Sequence, residues 1–139
     1  MDFFLDENLD NSIENLNLVT NPDWGKKLTK YWKCGEANAI AKFEEFIENG
    51  LKSYQQGRDF PWKQSVSKLS PHLTFGEISP NYIWDKVKAL KTNKENNDAF
   101  LRQLAWREFS YYLLFHFPTI TDQNLQTKFD NFKWKHDDK

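Results

Sequence analysis

The 139-residue chain lacks several features that would place it in a broad class of proteins. Its single cysteine, Cys34, leaves no partner for an internal disulfide bond, which fits a reducing compartment. Positive charge is not in excess, since the formal net charge is -1, whereas a protein dedicated to coating nucleic acid is usually basic. No apolar run is long enough to cross a bilayer, and acidic residues stand near the start, where a secretory signal needs basic ones. We therefore expect a cytoplasmic chain with no membrane partner.

Signatures of metal and nucleotide sites are also missing. The histidines at positions 72, 116 and 136 lie far apart, without the spacing that metal ligands show, so no metal site is predicted. The glycines of a dinucleotide-binding or P-loop signature are absent as well. Any phosphate site in this chain must therefore be built in another way.

Aromatic residues, by contrast, are abundant. They make up 17% of the chain and include six tryptophans. Many of them fall within the stretch "FLRQLAWREFSYYLLFHFP", Phe100 to Pro118. Large rings dominate cores and binding surfaces alike, so this density indicates either the middle of a core or a helix face that meets a flat, charged partner.

The spacing of apolar residues predicts an all-α fold. From Gly35 to about Gly57, apolar side chains recur at three- and four-residue steps, which lines one face of a helix: Ile40, Phe43, Ile47, Leu51 and Tyr54. The segment 91–98, "KTNKENND", is predicted to be a polar linker, followed by the longest helix from about Asp98 to Phe115. No alternating pattern typical of strands is found.

Two Ser-Pro pairs predict further helix starts. Ser70-Pro71 and Ser79-Pro80 each match an N-cap serine followed by proline at the first helical position. The stretch "SVSKLS", residues 65–70, places three hydroxyl groups and free backbone N–H groups just before the first of these starts. Such a loop is suited to a pyrophosphate. The alternative is an ordinary polar loop followed by a capped helix.

A second candidate site lies in "RQLAWREF". Gln103 and Arg107 are four residues apart, so they share a helix face, with Trp106 adjacent. A polar pair beside a large ring suits a planar heterocycle, and Arg107 suits a phosphate or carboxylate through its two-pronged guanidinium. In the alternative interpretation Arg107 pairs with an acid such as Glu108 or Asp59, and Trp106 belongs to the core.

Taken in order, three stretches resemble the flavin-binding helical domain of the DNA photolyase/cryptochrome family: "WKCGEANAIAKFEEFI", "YQQGRDFPWKQSVSKLSPHLTFGEISPNYIW" and "FLRQLAWREFSYYLLFHFP". The resemblance covers about Asp23 to Trp134. It implies that residues 1–33 are an interdomain-type linker. It also implies that residues 34–139 are the N-terminal half of the FAD-binding domain, a partial multi-helical unit with long irregular connections.

The resemblance also implies roles for individual residues. Positions that contact FAD in the family fall on Tyr54, Ser67, Lys68, Leu69, Ser70, Gln103 and Arg107. Trp106 matches the tryptophan that packs against a pyrimidine dimer flipped out of DNA, so Gln103, Trp106 and Arg107 are expected to line one flavin and substrate cavity. Three positions depart from the family pattern. Val66 replaces a threonine, whose hydroxyl Ser65 or backbone N–H groups are expected to replace; Lys68 stands where arginine is common; and Gln103 replaces a glutamate.

The implied function is light-driven DNA repair, with the closest resemblance to bacterial class I enzymes. In those lyases reduced FAD, the light-absorbing chromophore, donates an electron to a cyclobutane pyrimidine dimer in damaged DNA. The dimer ring splits and the electron returns. Two alternatives stay open: part of a cryptochrome-type blue-light photoreceptor, or a non-catalytic helical remnant that acts in binding.

The resemblance further implies that parts of such a protein are missing from this sequence. The antenna domain and the second half of the helical domain have no counterpart here, so we expect a fragment. Alone it is expected to have no repair activity, to bind FAD weakly or not at all, and to self-associate through uncovered apolar faces.

Overall fold

The computed structural model describes residues 25–28 and 30–133. These residues form six α-helices: α1 (Gly25–Leu28), α2 (Glu36–Glu45), α3 (Tyr54–Gly57), α4 (Ser70–Thr74), α5 (Pro80–Ala89) and α6 (Lys94–His116). Short 3₁₀ turns cover Leu51–Ser53, Pro118–Thr121 and Thr127–Phe129. Because no strand occurs in these two ranges, the all-α prediction is confirmed for the part of the chain that they cover. Among the same residues no helix is long and apolar enough to cross a membrane.

The predicted linker at residues 1–33 lies mostly outside the described residues. Of that stretch only α1 and residues 30–33 are described. The division into a linker and a half-domain therefore stays a prediction.

The helical path from Glu36 to Gly57 is continuous but irregular. Between α2 and α3 it passes through a π-helical turn at Phe46–Gly50 and then the 3₁₀ turn Leu51–Ser53. A π turn holds more residues than an α turn, so it rotates the side chains that follow relative to the core. As a result Phe46 is buried, whereas Ile47, which was predicted to face inward, is only partly buried.

Gly50 closes this π turn because the space beside it is filled. A Cβ atom at Gly50 would lie 2.6 Å from the ring of Phe46 and 3.2 Å from the backbone oxygen of Gln64. A larger residue at position 50 would therefore require the Phe46 ring to shift.

The two Ser-Pro pairs differ in outcome. Ser79 caps α5 as predicted, because its hydroxyl accepts a hydrogen bond from the Asn81 N–H at 3.2 Å. The cap predicted at Ser70 is wrong: α4 already includes Ser70, and Leu69 occupies the position before it without a side-chain cap. The physical reason is Lys68, whose φ of 55° turns the chain so that Leu69 is buried and helical before Ser70 is reached.

Helix α6 begins earlier than its sequence predicts. Asn93 caps it, accepting hydrogen bonds from the N–H groups of Glu95 at 2.9 Å and Asn96 at 3.3 Å. The linker predicted at 91–98 is therefore wrong from Lys94 onward. Asn96 is only 7% exposed, accepts from the Gln55 N–H at 2.9 Å and donates to the Lys52 carbonyl at 2.6 Å. It satisfies backbone groups at the irregular join between the 3₁₀ turn and α3.

The core forms where the first half of α6 packs on α3, the preceding 3₁₀ turn and α5. The rings of Phe46, Tyr54 and Phe100 meet at its centre, with centroids 4.8 to 5.8 Å apart. Burial along α6 ends at Leu104. Beyond it the helix and its end carry exposed rings: Trp106, Phe109, Tyr111, Tyr112, Phe115 and Phe117.

Candidate functional site

A cavity of ≈ 450 Å³ lies between α3, the loop that leads into α4, and the middle of α6. Its lining consists of Tyr54, Val66, Ser67, Lys68, Ser70, Leu73, Phe100, Gln103, Leu104 and Arg107. Six of the seven positions that the sequence assigned to FAD contacts therefore come together. The seventh, Leu69, lies behind the lining with its side chain in the core.

The apolar side of the cavity is built on α3 and α6. Tyr54 is buried edge-on against Phe100, with centroids 5.3 Å apart, and burial raises the pKa of its phenol. The Arg58 guanidinium lies 5.7 Å from the centroid of the Tyr54 ring and moderates this rise in pKa. Leu73 and Leu104 extend the same surface. This side can hold a flat apolar group away from water.

The polar side is the loop at residues 66–70. The Ser67 hydroxyl accepts a long hydrogen bond from the Leu69 N–H at 3.4 Å, and the Ser70 side chain also reaches the lining. The Lys68 ammonium donates to the Gln64 side-chain oxygen at 3.1 Å. Two hydroxyl groups and one cation on a single short loop suit an anion, and phosphate oxygens in particular.

Ser65 does not contribute to this side. Its side chain is 3% exposed, and its Oγ lies 2.9 Å from the Ser53 Oγ, away from the cavity lining. Of the two expected substitutes for the hydroxyl that Val66 lacks, Ser65 is therefore excluded. Backbone N–H groups remain.

On α6, Gln103 and Arg107 form the third wall. The Gln103 side chain has no hydrogen-bond partner among the described residues, so its amide is available to a ligand. Arg107 donates to the Leu73 carbonyl at 3.1 Å and the Tyr111 hydroxyl at 3.3 Å, and it pairs with Glu108. The ion pair between Arg107 and Glu108, which the alternative interpretation predicted, is thus present, and Arg107 still lines the cavity.

Trp106 is not brought into this cavity. It is 59% exposed and lines a separate groove of ≈ 300 Å³ with Arg102, Ala105 and Phe109, its ring centroid 5.5 Å from that of Phe109. Around the helix Gln103 and Arg107 are about 40° apart, and Trp106 lies about 60° beyond Gln103 on the side away from Arg107, so it points away from the cavity. In the described residues Trp106 therefore lies apart from the lining that contains Gln103 and Arg107, and its substrate-binding role stays a prediction. The alternative that Trp106 belongs to the core is wrong.

Sequence reasoning missed one residue of the lining, Leu73, and one residue that supports the helical turn around Tyr54, Asn96. Leu73 was not singled out, although it supplies both lining surface and the carbonyl that anchors Arg107. Its spacing of three residues from Ser70 on a short helix could have indicated the shared face. Asn96 was assigned to a linker, and nothing in the local sequence indicates the irregular backbone that it satisfies.

Comparisons with known proteins point to one family. A family model described as the FAD binding domain of DNA photolyase matches residues 100–139. A deoxyribodipyrimidine photo-lyase from Agrobacterium fabrum is 46% identical over 124 residues, 88% of this chain and 26% of that protein. The crystal structure of a bacterial class III photolyase from Agrobacterium tumefaciens matches with a TM-score of 0.84 and 43% identity, over 92% of this chain and 27% of that one. The chain belongs to the DNA photolyase/cryptochrome family.

The relatives of this chain also include cryptochromes. Cryptochrome-2 from Arabidopsis thaliana is 35% identical over 138 residues, 91% of this chain and 22% of that protein. The chain thus spans about a quarter of the length of the relatives it matches. The matching crystal structure is that of a class III photolyase, whereas the sequence was expected to be closest to class I, and the subclass of this chain stays a prediction.

Proposed function

We propose that this chain supplies one side of the FAD site of a light-driven DNA repair photolyase that splits cyclobutane pyrimidine dimers. The observation that supports it most is the shared cavity lining of six positions assigned from separate motifs. At ≈ 450 Å³ the cavity falls within the range of about 300–1,000 Å³ typical of ligand pockets. Its polar loop faces an apolar wall, an arrangement that fits a diphosphate joined to a flat ring system.

Each wall has a distinct role in this proposal. Ser67 and Ser70 donate to phosphate oxygens, while Lys68 and Arg107 balance their charge. The free Gln103 amide pairs with polar edges of a ring. Leu69 contributes only its backbone, because its side chain is in the core.

The chemistry itself comes from the cofactor. When bound and reduced, FAD supplies a light-driven electron to the dimer. In damaged DNA the extruded dimer would stack on Trp106, which is exposed in its own groove on the same helix. In this proposal the cofactor occupies one surface of α6 and the DNA lesion the next.

Titration with FAD, followed by flavin fluorescence, tests the cofactor site. We expect at most weak, saturable binding to the chain alone, because its contacts come from one side. Gln103→Ala should lower the affinity about fivefold or more, the effect of one hydrogen bond. Gln123→Ala, an exposed glutamine outside the cavity, is the matched control. Equal effects of the two substitutions would contradict the assignment.

A photoreceptor is the second candidate, supported by the plant cryptochromes that match 91% of this chain. A non-catalytic binding role is the third. The binding-only role is tested by illuminating the chain with FAD and dimer-containing DNA. We expect no repair by the chain alone; repair would refute that expectation and exclude the binding-only role. We further propose that the protein is cytoplasmic and that its function requires no metal ion.

We also propose that the exposed rings of α6 cause self-association. Phe115 is 82% exposed near the end of α6, and Phe75, in the loop after α4, is 81% exposed. Phe115→Ser should weaken concentration-dependent association in sedimentation experiments, because it removes part of a contiguous apolar surface. Phe75→Ser is the matched control and should change little. A monomer at all concentrations would contradict the proposal.

A further inference from the structure

A close contact outside the cavity joins two of its walls. Ser65, two residues before the lining residue Ser67, is buried against the helical segment that carries Tyr54. Its Oγ lies 2.9 Å from the Oγ of Ser53, the residue immediately before Tyr54. The loop and the helix are therefore held together one or two residues away from the side chains that line the cavity.

Gly57 makes this contact possible. A Cβ atom at Gly57 would lie 2.1 Å from the Ser65 Oγ and 2.5 Å from the Ser65 Cβ, both well inside the 3.0 Å below which real Cβ contacts essentially never occur. The backbone at Gly57 is α-helical and needs no glycine for its conformation. The space that it leaves is therefore the space that Ser65 fills.

We propose that Gly57 and Ser65 act as positioning residues that set the distance between the phosphate-side loop and Tyr54. This inference rests on the proposed FAD site for its ligand, although the contact itself is independent of FAD. A side chain at position 57 requires the Ser65 Oγ to move by about 0.9 Å, from 2.1 Å to at least 3.0 Å, and the Ser65 Cβ by about 0.5 Å, from 2.5 Å to at least 3.0 Å. The Oγ can move by rotation, but the Cβ moves with the backbone, so the loop that continues to Ser67 and Lys68 shifts relative to the apolar wall.

A size-swap cycle tests the inference. Gly57→Ala should lower FAD affinity about tenfold, since binding groups must be held within about 0.5 Å of their productive positions. Ser65→Gly alone should have a smaller effect, because it removes one hydrogen bond without a clash. The double variant, Gly57→Ala with Ser65→Gly, should return to the affinity of Ser65→Gly, because the two clashing side-chain atoms are gone. Ser53→Ala, which removes the hydrogen bond without a clash, provides a variant that is expected to fold.

Two readouts keep the outcomes separate. Flavin fluorescence measures the affinity, and the amide NMR shifts of Ser67 and Lys68 report the loop without any ligand. Shifts that change in Gly57→Ala and recover in the double variant support the positioning role, even if the parent chain binds no FAD and the proposed function fails. Unchanged shifts in Gly57→Ala, or no recovery in the double variant, overturn it. Affinities that simply follow the melting temperature across the four variants would also overturn it, since that is the result of a purely structural role.

Discussion

Asn96 offers the sharpest test of how α6 is held against the irregular helix. Its amide donates to the Lys52 carbonyl at 2.6 Å and accepts from the Gln55 N–H at 2.9 Å. These two backbone groups flank the break at Ser53, where the helical hydrogen bonding is interrupted. Asn96→Ala removes both bonds at once and leaves a donor and an acceptor without partners.

The size of the effect follows from the burial of Asn96, which is 7% exposed. A buried backbone group that loses its partner costs about 1–3 kcal/mol. Because the two hydrogen bonds of Asn96 are only partly buried, each loss should fall in the lower part of that range, about 1–2 kcal/mol, so the two together should lower the free energy of unfolding by about 2–4 kcal/mol. Since small domains are stable by about 5–15 kcal/mol, this is a large fraction of the total. At about 3–5 °C per kcal/mol for a chain of this size, the melting temperature should fall by roughly 10 °C.

Asn97→Ala is the matched control. Asn97 is the next residue, is similarly buried, and its side chain accepts one local hydrogen bond from the Thr92 hydroxyl, at 3.2 Å. Its loss should cost about 1 kcal/mol. Urea unfolding followed by circular dichroism measures both variants. If Asn96→Ala were no more destabilising than Asn97→Ala, the explanation of Asn96 as a support for the helix break would be refuted.

Two titrations complete the set of predictions. The Gly35 N–H and then His72 hold the pKa of Glu77 below its usual value of 4.5, so the stability that Glu77 contributes is present above pH 4.5 and lost as the pH falls through the lowered pKa. Acid unfolding of Glu77→Gln should therefore be less steep than that of the parent chain, whereas Glu44→Gln should behave like the parent; identical curves for all three would contradict this. Burial raises the pKa of Tyr54 above 10.0, so its contribution is present below pH 10 and lost as the pH rises through the raised pKa. Tyr54→Phe should remove the corresponding late phase of tyrosinate absorbance, and an unchanged titration would count against burial of this phenol.

Much of the fold could be predicted because the signals were local. The Ser79 cap followed by Pro80 is a short-range interaction between neighbouring residues, and it occurs in the structure as expected. The start of α6 shows the opposite case. Lys94 to Asn97 look like a linker by composition, but Asn96 is buried against backbone partners 41 and 44 residues away in the chain. A local pattern cannot reveal such partners.

The site divides in the same way. The three motifs identified its lining because residue identity and order carry that information. The direction of individual side chains was harder to predict. The Ser65 hydroxyl contacts Ser53 instead of the cavity, and Trp106 lies in a groove on a different face of α6. The left-handed backbone of Lys68 and the π turn before Leu51 likewise redirect side chains near the site, and both arise from packing that the sequence does not display locally.

The point where burial ends along α6 has a consequence for motion. The core packs against α6 from Ala99 to Leu104, so the amide hydrogens there should be protected, whereas beyond Leu104 most side chains of the helix are exposed. Local opening should therefore cost progressively less free energy toward His116, and hydrogen exchange should quicken along the same direction. Gln103 and Arg107 lie on either side of this transition. A ligand that binds both must order the helix as it binds, so its affinity and the exchange protection of this helix end should rise together.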